Sequence, residues 1–212
     1  QHIHELLSRF AGVWLSRGSG QEHLTAIRSP VLTGAGSCGA FLFLEDGIPI
    51  RPAGFCNVNN LFELNTEQAG RIEVWRGPGS AVLGGNALYG AINVVNRLPD
   101  RNSISVEGGS YDSYRVSGEF NVETDNHRFA GTMFGSGTNG YRDSTGHDQQ
   151  KVSLVHQTSV GGFEVENTLN FTNLEQQTGA FVDGFEAYKD DDLRKTNPAP
   201  RRCGRSSCAA GP

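Results

Sequence analysis

Several groupings of chemically capable residues stand out along the 212 residues, and most dissolve when their setting is read. Gly135-Ser136-Gly137-Thr138-Asn139-Gly140 fits the G-x-G-x-x-G pattern of a phosphate-cradling turn. The residues that follow it, Tyr141 to Gly146, carry no helical pattern, so the helix N-terminus that would hold the phosphate is missing and the stretch reads as a loop. Ala35-Gly36-Ser37-Cys38-Gly39 comes near a nucleophile elbow, but an elbow needs a strand before it and a helix after it, and here a strand follows. With no paired histidine and acid to activate Ser37, no catalytic residues are assigned. His2 and His4 would share a face only in a strand, whereas the pattern here is helical. Cys203 and Cys208 lack a second pair or a nearby histidine to complete four zinc ligands. Neither a metal nor a cofactor is expected.

Arg71, Glu73 and Arg76 remain, three charges in a segment otherwise committed to strands and turns. The bland account is that they are solvated on an edge strand. Their segment, Arg71 to Val95, reads RIEVWRGPGSAVLGGNALYGAINVV. Two β-type runs, Arg71 to Val74 and Ala91 to Val95, bracket Gly77, Pro78, Gly79, Gly84, Gly85 and Gly90, so the backbone must turn several times between them. Such a stretch is a shaped connector.

The elements before the connector are short. Ile3, Leu6, Leu7 and Phe10 recur with helical spacing, predicting a helix over His4 to Ala11 with Gly12 as its C-terminal cap. Strands are expected at Val13 to Leu15 and Leu24 to Arg28. Phe41 to Leu44 is apolar at every position and predicts a central strand buried on both faces. Asp46-Gly47 signals a hairpin, and Pro49 places the return strand at an edge. Asn65 or Thr66 can cap a short helix that Gly70 ends.

From Ser103 the pattern changes to period-two alternation. Tyr114, Val116, Phe120 and Val122 share one parity, as do Val152, Leu154 and Val160, and then Phe163, Val165, Leu169 and Phe171. Polar residues such as Glu164, Glu166, Thr168 and Asn170 fill the other parity. Tight turns are expected at Thr124 to Asn126 and at Gly161-Gly162. Such alternation over about ten residues between tight turns is what membrane barrel strands require, and about five antiparallel strands can be counted by it, too few to close a wide barrel. Phe129 to Phe134 is a further strand whose facing is open, because both parities carry apolar residues. Arg201 to Pro212, RRCGRSSCAAGP, loses the alternation and reads as an irregular, truncated or frame-shifted end, or an ordinary disordered tail.

Net charge is −5, the isoelectric point is about 5.7 and hydrophobic residues make up 36% of the chain, so no concentrated basic face points to nucleic acid. No 18-residue apolar run exists for a membrane helix, while barrel strands keep average hydropathy low and are not excluded.

Arg71-Ile72-Glu73-Val74, Arg76-Gly77-Pro78 with Ser80, Asn86-Ala87, Gly90 and Ile92-Asn93-Val94-Val95 together resemble the plug-domain signature of TonB-dependent outer-membrane receptors. Leu83 stands where an aromatic is usual and Tyr89 where a small residue is usual. The resemblance implies an α+β plug, a small mixed sheet with short helices, over residues 1–100. Antiparallel transmembrane β-barrel strands would follow over 101–200 in an incomplete barrel, and then the irregular end, 201–212. It also implies a fragment of a larger protein, since neither a leader nor the TonB-contacting segment is visible.

Such a receptor is not an enzyme. It sits in the Gram-negative outer membrane with the plug inside the barrel, among membrane lipid. It binds a scarce solute such as a ferric siderophore, cobalamin or another large nutrient, and is opened by the inner-membrane TonB complex. Arg71, Glu73, Arg76, Gly77, Pro78 and Asn93 would then seat the plug against the barrel wall, where a partly buried charge needs a partner. Arg51, Phe55 and Asn57, a cation, an aromatic and an amide in an apical loop, would suit an anionic metal chelate; they are equally ordinary turn residues. Cys38 and Cys56 flank the hairpin, and a bridge between them would be worth roughly 3 kcal/mol in an oxidising periplasm, the alternative being two small loop residues. A soluble periplasmic binding or signalling module is the competing reading of the whole.

Overall fold

The computed structural model describes residues 3–17, 20–21, 23–30, 41–50, 64–84, 87–199, 201–203 and 208–210. The chain divides into two compact units, residues 1–97 and 98–212.

In the first unit, helix α1 covers Ile3–Leu7 and buries Ile3 and Leu7. It is shorter than its periodicity predicts. Phe10 falls in the turn after it and is 38% exposed, and Gly12, at φ +81°, caps the turn where the helix was expected to reach. Strands β1 (Val13–Arg17) and β2 (His23–Ile27) pair antiparallel as a separate two-stranded sheet.

The main sheet has the order β4-β3-β6-β5, with β3 at Phe41–Glu45, β4 at Ile48–Pro49, β5 at Ala69–Arg76 and β6 at Gly90–Asn96. It is mixed, because β3 and β6 run parallel while the outer pairs are antiparallel. As an inner strand, β3 buries both faces. Phe41 and Phe43 join the core of Ile3, Leu7, Val13, Leu15, Ile27, Ile92 and Val94, and Leu42 and Leu44 meet Ala87, Ala91 and Leu83 on the other side. Burying each of the Phe, Leu, Ile and Val side chains among these stabilises the fold by about 1.5–3 kcal/mol. Asp46 and Gly47 both take positive φ, +49° and +81°, as the expected tight hairpin requires, and β4 lies at the sheet edge. The short helix at Thr66–Gln68 is a 3-10 turn with no side-chain cap from Asn65. Gly70 does not end it. The strand β5 has already begun at Ala69, whose amide donates to the Thr66 carbonyl.

The second unit is an antiparallel sheet of β7 (Ser103–Gly109), β8 (Ser113–Glu123), β9 (His127–Thr138), β10 (His147–Val160) and β11 (Phe163–Thr178), paired in sequence order and not closed into a barrel. Thr124 to Asn126 and Gly161-Gly162 are the turns, the two glycines at φ +59° and +86°. The first four residues of the G-x-G-x-x-G stretch are the end of β9, so only Asn139 and Gly140 are loop. The closing segment, expected to be irregular, adds β12 (Arg201–Cys203) against Gln176 to Thr178 and β13 (Cys208–Ala210) against β12. Backbone pairing at the sheet edge needs no alternation over three residues.

Candidate functional site

The glycine-rich connector is folded back on itself by backbone bonds that prolong the β5–β6 ladder. Gly77 N–H donates to the Tyr89 carbonyl at 2.9 Å and Gly79 N–H to the Ala87 carbonyl at 2.8 Å. A single turn of helix, α2 (Ser80–Leu83), sits inside the loop, and the half-buried Leu83 packs against the cluster of Leu42 and Leu44. Leu83 thus does apolar packing at the position where an aromatic was expected. Gly90 reopens the strand at φ +152°, a conformation closed to most side chains, with the Trp75 carbonyl against its Cα. The loop borders an open groove of about 660 Å³ whose rim includes Arg28, Trp75, Arg76, Pro78 and Val82.

Strand alternation sorts the charges of β5. Ile72 and Val74 pack on the main core. Arg71, Glu73 and Trp75 take the opposite face, which the register shares with Asn93 and Leu44. On that face a chain of polar contacts crosses the sheet. Arg71 Nε donates to Glu73 Oε1 at 2.8 Å, Asn93 Nδ2 donates to Glu73 Oε2 at 3.0 Å, and Gly47 N–H donates to Asn93 Oδ1 at 2.9 Å. The donated hydrogen bonds, first from Asn93 and then from Arg71, hold the Glu73 carboxyl below the usual carboxylate range, so it is an anion at neutral pH. Asn96 makes a parallel link, its Nδ2 donating to Glu45 Oε1 at 2.8 Å and Asp46 Oδ2 at 2.9 Å. The tip of the β3–β4 hairpin is therefore held from β6 at two points.

Arg76 does not join this cluster. Its Nη1 donates to the Ala11 carbonyl at 2.8 Å, tying the end of β5 to the turn before β1. Gly77 and Pro78 follow it into the connector. Of the six residues of the expected seating motif, the structure brings Arg71, Glu73 and Asn93 together and places Arg76, Gly77 and Pro78 at the strand end. Arg51, Phe55, Asn57, Cys38 and Cys56 lie outside the described residues, as does His2. Gly47 is the partner that the sequence pattern did not reveal. Its turn was legible, but its bond to Asn93 spans 46 positions.

The second unit carries its own signature. The register puts Ile104, Val106, Val116, Phe120, Val122, Phe129, Met133, Leu154, Val165, Leu169 and Phe171 on one face of the sheet. Most of these are exposed, Ile104 at 83% and Leu169 at 65%. The opposite face holds Arg115, Glu119, Arg128, Thr132, Lys151 and Ser153. There Arg128 Nε donates to Asn121 Oδ1 at 3.1 Å and the Arg115 guanidinium lies 5.6 Å from the Phe134 ring centre. The open facing of β9 is thereby settled: Phe129 and Met133 share the apolar face, and Ala130 and Phe134 the polar one. A sheet that shows its apolar side outward has the arrangement of a barrel wall in lipid.

A small mixed sheet with a shaped glycine connector, followed by such strands, defines the plug-and-barrel class of architecture. Residues 1–91 match the family described as the TonB-dependent receptor plug domain. Among solved structures, FpvA of P. aeruginosa bound to a heterologous pyoverdine matches with a TM-score of 0.69 at 16% identity, over 94% of this chain and 28% of that one. The ferric yersiniabactin uptake receptor FyuA of Yersinia pestis also gives 0.69 at 16%, over 94% and 33%. The copper transporter OprC gives 0.64 at 13%, over 84% and 29%. At these identities the likeness is one of fold. The chain spans about a third or less of the length of these proteins.

Proposed function

We propose that this chain is the plug and first barrel strands of a TonB-dependent transporter of the Gram-negative outer membrane. The observation that carries the reading is the facing of the second sheet, apolar side exposed and charged side opposite, next to a plug domain in the same chain. The solute is a ferric siderophore, cobalamin or another large nutrient. Relatives named as pyoverdine and yersiniabactin receptors favour a metal chelate.

In this reading no covalent chemistry occurs. The ligand binds from outside, with Arg51, Phe55 and Asn57 as proposed contacts and Cys38–Cys56 as a proposed bridge. The TonB complex then pulls on the plug. Arg71, Glu73, Arg76, Gly77, Pro78 and Asn93 seat the plug and yield under load, so affinity for the ligand differs between the closed and open states. The cross-sheet links of Glu73 and Asn93 support this role because they join the edge strand to the hairpin tip as one unit.

The test is energy-dependent uptake in cells carrying the complete gene. Uptake of a ferric siderophore or cobalamin that stops on dissipating the proton gradient, and on deleting residues 71–95 from an otherwise assembled receptor, is the expected outcome. Uptake untouched by that deletion would remove the gating role.

A further inference from the structure

The apolar face of the second sheet is bounded at one end by a polar cluster. Tyr114 Oη and Gln150 Nε2 both donate to the Asp148 carboxylate, and Asn173 Nδ2 donates to Gln150 Oε1 at 2.8 Å. At the other end lie the turns at Thr124 to Asn126 and at Gly161-Gly162. Between these limits the residues of this face run from Val152 to Val160 on β10 and from Phe163 to Phe171 on β11, with Val152 opposite Phe171 and Val160 opposite Phe163. Each run is eight residue steps long. At about 3.4 Å per step and a tilt of about 35–45°, that is a rise of about 19–22 Å, close to the roughly 25 Å apolar band of a membrane barrel. Midway along the two runs, and paired with each other across the strands, stand His156 and Asn167.

The polar neighbours of Asn167 on this face have partners. Thr158 Oγ1 donates to the Asn126 carbonyl at 2.9 Å. His127 Nδ1 and His156 Nε2 share a hydrogen bond at 3.1 Å, and Phe129 stacks on His156 at 4.4 Å and 12°. Asn167 is exposed, and its side-chain amide has no hydrogen bond among the described residues. An unpaired amide at mid-depth in lipid is costly, because no water stands there to replace the missing partner. We propose that this face is an interface for a second copy of the protein, centred on Asn167; the inference rests on the reading of the second sheet as a barrel wall. An amide carries a donor and an acceptor together. A two-fold axis beside Asn167 sets it against Asn167 of the second copy, where two N–H···O bonds satisfy both side chains. Between the polar cluster and the turns no Asp, Glu, Lys or Arg falls on this face, so two copies meet without charge repulsion. The flanking Val165 and Leu169 supply apolar contact on either side.

The experiment folds the full chain, labelled at its N-terminal amine with a donor or an acceptor fluorophore, into lipid vesicles. Insertion is checked by gel mobility without heating, and energy transfer is followed as the protein-to-lipid ratio is raised. Asn167→Leu is the variant, chosen because an apolar side chain on this face leaves insertion intact. Transfer is expected to rise with the ratio, and Asn167→Leu to raise the ratio at half-association tenfold or more. A smaller shift, as copies joined through their free strand edges would give, overturns the proposal. So does a chain that inserts and shows no transfer. A chain that does not insert overturns the barrel-wall reading itself, and this inference with it.

Discussion

Asn93 holds the amide of Gly47 at 2.9 Å, joining strand β6 to a hairpin tip 46 positions earlier in the chain. The same side chain donates to Glu73 on the neighbouring edge strand β5. Asn93→Ala leaves the Gly47 amide and one Glu73 oxygen without these partners. Loss of two hydrogen bonds around a buried residue should cost about 1–3 kcal/mol. Hydrogen exchange will show it as lost protection at the Gly47 amide, with the β7–β11 amides unchanged.

Glu73 sets a pH dependence whose sign is fixed by its partners. Its folded carboxyl titrates below the ordinary value of 4.5, so the unfolded chain binds the proton more readily. The stabilisation is fully present above the unfolded pKa and is lost as pH falls through the lower, folded one. The unsubstituted chain should therefore exceed Glu73→Gln in denaturant midpoint at neutral pH, and the gap should close as pH drops below 4.5. A gap that widens on acidification would contradict the assignment.

Two connector glycines should behave differently. At Gly77, φ +139°, a methyl group meets nothing within 4 Å, so Gly77→Ala costs backbone strain alone, about 1–3 kcal/mol. At Gly90, φ +152°, the methyl would overlap the Trp75 carbonyl and lie 3.2 Å from Ile27 Cγ2. The β5–β6 ladder would have to separate there. Thermal melts should show a plug that survives Gly77→Ala and fails to form in Gly90→Ala.

Leu169 and Thr168 are neighbours on β11 that face opposite ways. Leu169→Arg puts a charge on the apolar face and should reduce insertion into lipid vesicles by about 2–4 kcal/mol at mid-membrane depth. Thr168→Arg adds its charge to the polar face and should leave insertion nearly unchanged. Folding into vesicles, read by gel mobility without heating, distinguishes the two.

Local rules made much of this fold legible. Asp46-Gly47 announces its turn because both positions need positive φ. Phe41 to Leu44 announces an inner strand because no parity is polar, and the strands after Ser103 show themselves through period two. Rules of the same kind overextended α1, since Phe10 keeps helical spacing while the chain already turns toward Gly12. They also misplaced Gly70, which serves β5. The facing of Phe129 to Phe134 depends on register with β8 and β10, which no single strand encodes. For the same reason the meeting of His127 with His156, 29 positions apart, and of Asn93 with Gly47 escapes a linear reading.

The proposed function requires the second sheet to turn its apolar face to lipid and its charged face away from it. With Trp14 and Trp75 changed to phenylalanine, a single tryptophan is placed by Leu169→Trp or by Thr168→Trp, and the chain is folded into vesicles containing brominated lipid. Strong quenching of the Leu169→Trp signal by bromine, with the Thr168→Trp signal answering only to aqueous acrylamide, is the predicted result. Equal bromine quenching at both positions, or none at Leu169→Trp, would contradict it.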